Sequence, residues 1–579
     1  MAWEHIQPNS IVGAVALKER RPVVAAKKRI LIVGGVAGGA SCAARARRLS
    51  EEAEIIIFDR GGYVSFANCG LPYYVGNVIK EEKSLLVATP EIFMKRFRID
   101  VRLNSDVIAI ERAKKEIEVR DLATGALYRE RYDALVLSPG AAPVRPPIPG
   151  IDLTGIFTLR TIPDSHHIKE WIDQRQAKRA LVVGGGFIGL EMTENLVLRG
   201  LGVTIVEMQA HLMPALDPEM ATPIHERLIQ HGVSLRLGES VVGFERKAGG
   251  VISVALKSGE SEVADFVILS VGVRPEAKLA REAGLEIGER SGIRVDDHLR
   301  TSDESIWAVG DAVEVRDVVT GRWSVVPLAG PANRQGRIAA DVILGRDSTF
   351  RGVQATVVCG VLGLTIAATG PSEKSLRRLG LWDQPVKLEK IYLHPGQHAS
   401  YYPGASPITM KLIFSREDGR VVGAQAVGVE GVEKRIDVIS MAVQKGATVF
   451  DLEEAELCYS PQFGSAKDPL NMAGMIAANV MRGDARIVQW EDISRRKALI
   501  LDVREPLEFE AGHLEGAVNI PLGDLRDRMA ELPRDREILT YCAVGQRSYY
   551  AARALAQYGF DVKNISGGFK IFLLREDVV

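Results

Sequence analysis

Cysteine is scarce in this chain. Only five occur among 579 residues, at Cys42, Cys69, Cys359, Cys458 and Cys542, and no two of them form a CxxC pair. That spacing offers neither a zinc site nor a disulfide framework, so no metal is assigned. A reducing, cytoplasmic setting with one or two working thiols fits better. Net charge is lacking too. The formal value is −1, which gives no overall field for nucleic acid or an anionic membrane. No apolar run reaches the ~20 residues of a membrane helix. The apolar stretch from Ile11 to Leu17 follows Glu4 and precedes Lys18-Glu19-Arg20-Arg21, the reverse of a secretory signal. Residues 1–27 read as a disordered leader.

What is present is globular. A hydrophobic fraction of 46% with 25% charged residues is that of an ordinary globular chain. The length exceeds one core and implies about three or four domains. Glycine is abundant, at 56 residues, which points to several Gly-rich turns.

Two of those turns share one pattern. Arg29 to Val33 reads as a buried parallel strand, followed by Gly34-Gly35-Val36-Ala37-Gly38-Gly39, a helix to about Leu49, and a strand Glu54 to Phe58 closed by Asp59. Free N–H groups at the helix start suit a pyrophosphate, and the acid can accept from a ribose hydroxyl. Val36 stands where GxGxxG has its middle glycine. The second unit, Ala180 to Val183 then Gly184-Gly185-Gly186-Phe187-Ile188-Gly189, keeps all three. It continues with a helix from Leu190 and a strand Val203 to Val206 ending at Glu207. Two such units in one chain imply two dinucleotides, one to be reduced by the other. Met208-Gln209 follow Glu207, with no Arg for a 2′-phosphate, so the second site favours NADH over NADPH. The first should hold FAD, supported by a strand that ends at Gly310-Asp311 and places a carboxylate near the ribityl chain.

Cys69 lies in Ser65-Phe66-Ala67-Asn68-Cys69-Gly70. Dithiol flavoenzymes carry a second Cys a helical turn away, but the positions five before and five after are Val64 and Tyr74. Cys69 therefore pairs with an external sulfur. Its thiolate is expected to be stabilised by helix N-terminal amides and by the flavin. Cys42, Cys359 and Cys458 read as buried structural thiols.

The stretches GGVAGGAS, SFANCGLPYY, LVLSPGAAP, GGGFIGLE, AVGDA, PLAGPANRQGR, HASYYPGA, KRIDV and YSPQFGSAKD resemble the coenzyme A-disulfide reductase family, from Lys28 to about Arg482. That family belongs to the pyridine nucleotide-disulfide oxidoreductases and is similar to this chain above all in its subgroup with a C-terminal rhodanese domain. The resemblance implies FAD, a nicotinamide, coenzyme A and a homodimer, with Cys69 as nucleophile. It implies cofactor contacts at Gly34 to Gly39, Asp59, Gly184, Gly186, Phe187, Ile188, Gly189, Glu207, Gly310 and Asp311. Further cofactor contacts are implied at Arg60, Asn68, Ser138, Pro139, Gly140, Gly272, Pro327, Leu328 and Ala329. Coenzyme A would meet Ser41, Arg45, Arg48, Ser65, Asn68, Asn333 and Lys467. Arg45 and Arg48 lie one turn apart, as a phosphorylated adenosine would use them. Tyr401 and Tyr459 match two tyrosines that reach the partner subunit's cysteine, where a phenol can donate to a leaving thiolate.

After Asp484 the composition resets. Asp502-Val503-Arg504-Glu505, Glu508-Phe509 and Gly512-His513-Leu514-Glu515-Gly516-Ala517 resemble a rhodanese domain, with Cys542-Ala543-Val544-Gly545-Gln546-Arg547 as its active loop. Amides of such a loop and the following helix stabilise a persulfide on Cys542, and Arg547 is expected to close the ring. The expected fold class is α/β: an FAD domain in two parts (28–150 and 274–345), an NADH domain (151–273), an α+β dimerisation domain (346–482) and a rhodanese domain (487–579). The expected activity is NADH-dependent reduction of coenzyme A disulfide, persulfide or polysulfide at Cys69, with Cys542 supplying sulfane sulfur. The alternatives are an NADH oxidase or peroxidase that uses a Cys69 sulfenic acid, and a redox sensor or sulfur relay without turnover.

Overall fold

The structure is a computed structural model that describes residues 28–384 and 386–576. The expected leader, 1–27, lies outside the described residues. The run Arg29–Val33 (RILIV) is apolar at successive positions, as a strand covered on both faces requires. It is the central strand of a five-stranded parallel sheet ordered Ile306–Ala308, Ala134–Leu137, Arg29–Val33, Glu54–Phe58, Asp100–Arg102. The last strand to join comes from beyond residue 300, so the first nucleotide fold is completed only after the second has been inserted.

That second fold repeats the plan. Its parallel order is Ser234–Leu237, Gly202–Glu207, Arg179–Val183, Phe266–Leu269, Ile156–Phe157. The helix expected from Leu190 begins at Phe187 and runs to Leu198, because the last residues of the glycine motif already take helical dihedrals. The strand likewise extends to Gly202–Glu207.

The third sheet is antiparallel, ordered Val357–Val361, Leu364–Thr369, Val421–Gly428, Thr409–Ser415, Leu388–Leu393. The fourth is parallel, ordered Ile487–Val488, Val562–Ile565, Ile538–Tyr541, Leu499–Asp502, Val518–Asn519. This C-terminal unit is docked on the rest. Ile571 and Leu574 share a buried cluster with Ile224, Leu228 and Tyr392. Thr222 Oγ1 donates to the Leu574 carbonyl at 2.7 Å, and Gln489 Nε2 donates to the Lys390 carbonyl at 2.8 Å.

Beneath this junction lies a buried ionic network. Lys411 is fully buried, and its Nζ donates to Asp217 (2.8 Å), Glu219 (2.6 Å) and Glu373 (2.7 Å). These three acids are the one group among the described residues arranged as a metal site would be, and the ammonium sits among them. Lys390 Nζ continues the network from Glu373 to Glu491, which also receives Arg575. Burial opposes every charge here. The surrounding carboxylates still raise Lys411 well above its usual range, and the two lysines hold Glu219 and Glu373 at about 2.

Candidate active sites

Both glycine turns are built for backbone contact. A Cβ at Gly34 (φ +93°) would lie 2.1 Å from the Ser138 carbonyl oxygen, and one at Gly184 (φ +100°) would lie 2.5 Å from that of Ser270. Gly39 and Gly189 face inward instead. Their added Cβ atoms would meet the carbonyl oxygens of Gly34 and Gly184 at 1.9 and 2.0 Å, so these glycines set how closely each helix packs on its own turn. The helices Ala37–Leu49 and Phe187–Leu198 have no side-chain N-cap and no acid in the first turn, which leaves their N–H groups free for a phosphate. Asp59 accepts from Gly35 N at 2.9 Å and Glu207 from Gly185 N at 2.7 Å. Each acid is therefore already oriented at the end of its strand.

One cleft joins the two turns. Its volume is about 2560 Å³, well beyond the ~300–1,000 Å³ of an ordinary ligand pocket, and it has room for two extended dinucleotides. Its walls include Gly34, Val36, Ala37, Gly38, Asp59, Arg60, Asn68, Ser138, Pro139, Gly140, Gly310, Asp311, Pro327, Leu328 and Ala329. On the other side they include Gly184, Gly186, Phe187, Ile188, Glu207 and Gly272. No atom lies within 4 Å of a Cβ built on Gly186, so a ligand can approach that backbone directly. Burial raises the pKa of Asp59 and Asp311. These features fit FAD on the first turn and a nicotinamide dinucleotide on the second.

Cys69 opens into the cleft, exposed, in the short turn Asn68–Gly70 before the five-residue helix Leu71–Val75. Ser65 holds a left-handed backbone (φ 48°), and its N–H donates to the Gly35 carbonyl at 2.9 Å, which ties this loop to the first glycine turn. No other cysteine lines the cleft. The expected thiolate stabilisation is not supplied by the chain. Burial, then Glu191 and Asp311, push the Cys69 thiol up, and only its own backbone N–H opposes them. The helix behind it is a single short turn and adds little.

Sequence reasoning assigned no role to Glu191, although it closes the quoted GGGFIGLE. It lines the cleft on the helix Phe187–Leu198, and burial together with Glu194 raises it to about 7. Arg160 was also missed. It donates to the Pro139 carbonyl at 3.1 Å, while its own carbonyl accepts from Asn68 Nδ2 at 3.4 Å. No local motif marks it.

Of the residues expected to meet coenzyme A, Ser41, Arg48, Ser65, Asn68 and Asn333 line the same cleft. The helix Ala329–Ile343 lies close on Ala37–Leu49, where a Cβ at Gly336 would sit 2.1 Å from the Gly38 carbonyl oxygen. That contact brings Asn333 Oδ1 to the Ser41 hydroxyl, which donates to it. It also captures Arg45, which is off the cleft wall and paired with Asp341 at 2.7 Å. Arg48 is left as the exposed cation of the expected pair. Tyr401 and Tyr459 share a 2.6 Å hydroxyl contact on the exposed surface. Neither they nor the exposed Lys467 line the cleft of their own chain. Cys42 and Cys359 are buried as expected. Cys458 is exposed beside Tyr459 and is no core thiol.

The second thiol is enclosed. Cys542 is fully buried at the end of the strand Ile538–Tyr541, and Gly545 N–H donates to its Sγ at 3.2 Å. Ser548 Oγ lies 3.5 Å from the same sulfur. Gly545 (φ +94°) starts the helix Gln546–Gln557, whose N-terminus faces the loop. Arg547 reaches the Cys542 sulfur, and its charge is shared with a carboxylate that sequence reading did not assign. It makes two 2.6 Å bonds to Glu508, because a carboxylate fits the guanidinium fork well, and Glu508 and the Cys542 sulfur together raise it above its usual range.

A fold with two dinucleotide turns facing one thiol defines a flavin-type disulfide reductase, and the comparisons agree. Residues 28–336 match the pyridine nucleotide-disulphide oxidoreductase family and residues 356–468 its dimerisation domain. The chain belongs to that family. Residues 489–574 match the rhodanese-like domain. The reduced CoADR-RHD protein of Bacillus anthracis is 48% identical, with a TM-score of 0.92 over 95% of this chain and 98% of its own. The NAD-dependent persulfide reductase of A. fulgidus is 36% identical, with a TM-score of 0.86 over 94% and 100%. The coenzyme A disulfide reductase of Staphylococcus haemolyticus is 35% identical over 440 residues, 76% of this chain and 97% of its own. No helix among the described residues is long and apolar enough to cross a membrane.

Proposed function

We propose that this chain, as a homodimer, uses NADH to reduce coenzyme A disulfide, coenzyme A persulfide or polysulfide at Cys69, and that Cys542 delivers sulfane sulfur to that reaction. The observation that carries the reading is a lone cysteine in a cleft shared by both glycine turns and by Ser41, Arg48 and Asn333. A sensor or relay needs no second dinucleotide turn, and a peroxidase gives Cys542 no use.

Cys69 thiolate attacks one sulfur of the substrate's S–S bond. A Cys69–sulfur bond forms, the substrate bond breaks, and one coenzyme A leaves as thiolate. Bound FAD supplies the chemistry that carries two electrons from NADH to the new bond. Glu191, held near neutrality, can retain or release a proton beside the reacting sulfur. Tyr401 and Tyr459 would donate to the leaving thiolate across the dimer, which accounts for a phenol pair exposed on its own chain. Arg48 would hold the substrate's phosphates. The test is Cys69→Ser, which should keep bound FAD and lose turnover with all three substrates. Near-normal NADH consumption by that variant would refute the assignment.

A further inference from the structure

We infer that Glu508 is a specificity-determining residue of the Cys542 site, and that by neutralising Arg547 it selects sulfur donors of low charge, such as thiol persulfides, over the dianion thiosulfate. The inference rests on the reading of Cys542 as a sulfur acceptor.

Arg547 is the sole cationic side chain of the loop Cys542 to Arg547. Both of its terminal nitrogens are taken by the two oxygens of Glu508 at 2.6 Å. Glu508 is itself fixed. Its Oε2 accepts from Glu505 N at 3.1 Å, in the capping box of the helix Pro506–Glu510. The pair is thus held from both sides.

The neighbouring cations are occupied as well. Arg504 is spent on Asp502 at 2.6 Å and on the Gly512 carbonyl, with its guanidinium over the Phe569 ring. Lys570 donates its main-chain N–H to the Ala543 carbonyl, and burial disfavours its charge against the attraction of Glu226. Arg547 also reaches the Cys542 sulfur, but it brings the Glu508 carboxylate with it, so the positive field not matched by that acid is the backbone's: Gly545 N–H on Sγ and the N-terminus of the helix Gln546–Gln557. A loop of this kind can balance one negative charge, the thiolate or persulfide of Cys542 itself.

A thiol persulfide brings at most one charge. Cys542 thiolate attacks its outer sulfur, the Cys542–sulfur bond forms, the donor's sulfur–sulfur bond breaks, and a thiolate departs. With thiosulfate the same attack expels sulfite. Two further negative charges must then enter beside the Glu508 carboxylate, against an Arg547 charge that this acid already balances.

The test uses full-length holoprotein and follows, by peptide mass spectrometry, the rate at which Cys542 gains one sulfur atom from 2-hydroxyethyl persulfide or from thiosulfate. The wild type should load faster from the persulfide. Glu508→Gln frees the Arg547 charge and should raise the thiosulfate rate relative to the persulfide rate by about tenfold. Val544→Lys, at an exposed loop position, adds a cation without touching the pair and should shift the ratio the same way. Glu508→Asp should keep the wild-type ratio. If the wild type loads equally from both donors, or if neither Glu508→Gln nor Val544→Lys moves the ratio by more than about twofold, charge selection is overturned while Cys542 remains the acceptor. If Cys542 loads from neither donor in the wild type, the acceptor reading itself fails.

Discussion

Lys411→Met attacks a fully buried charge. The substitution removes one ammonium from three carboxylates, and their surroundings decide where the cost falls. Asp217 keeps Gln425 Nε2 and the N–H groups of Glu373 and Lys374. Glu373 keeps Lys390. Glu219 keeps only the Tyr392 hydroxyl at 2.6 Å, so it becomes a buried carboxylate without a cation in bonding distance. Its displacement from 4.5 to about 2 corresponds to about 3 kcal/mol, and breaking a buried pair generally costs about 3–5 kcal/mol. Glu219 and Glu373 titrate lower in the folded state than unfolded. Their stabilisation is therefore complete above pH ~4.5 and is lost as pH falls towards ~2. In Lys411→Met burial, the largest influence on Glu219, is opposed only by the Tyr392 hydroxyl and the more distant Lys390, its pKa rises above the unfolded value, and mild acid relieves the penalty by protonation. The measurement is the urea midpoint of the reductase transition, followed separately from the rhodanese transition because a multidomain flavoprotein does not unfold in one step. The deficit should be about 3–5 kcal/mol near pH ~8 and clearly smaller near pH ~5. Adding Glu219→Gln should restore much of it. A deficit below ~1 kcal/mol, or one that is the same at both pH values, would refute the reasoning.

Other outcomes follow from single contacts. NADH should exceed NADPH in kcat/KM, because Glu207 is oriented by Gly185 and Gln209 N–H groups and Met208-Gln209 follow it with no Arg; a clear NADPH preference would show that a basic side chain reaches the 2′-phosphate. Cys542→Ser should abolish sulfurtransfer yet spare reduction of small preformed persulfides, since no residue beyond Val358 lines the Cys69 cleft; loss of both would mean that Cys542 acts in every turnover. Gly189→Ala places a methyl 2.0 Å from the Gly184 carbonyl oxygen and should raise the KM for NADH by about tenfold or more with FAD retained. An unchanged KM would show that the helix can shift without cost.

The sequence by itself determined the elements whose physics is local. Continuous apolar runs, glycine turns and closing acids lie within about 30 residues of one another in a nucleotide fold. Both turns, Asp59, Glu207 and the lone Cys69 could therefore be read directly. The rhodanese loop was legible for the same reason. Charge pairing was not. Arg45 meets Asp341, 296 positions away, and Lys411 meets Asp217, 194 positions away, and no spacing rule connects such partners. Arg547 and Glu508 are only 39 positions apart, but they meet through a helix cap and a loop from different parts of the C-terminal sheet. The same holds for Cys458, which sequence placed in the core and the fold leaves at the surface. Glu191 sat inside a motif already recognised, and its near-neutral titration arises only when the helix Phe187–Leu198 buries it beside Glu194. Local backbone geometry is written in neighbouring residues. Which charges survive unpaired to meet a substrate is decided when distant segments pack.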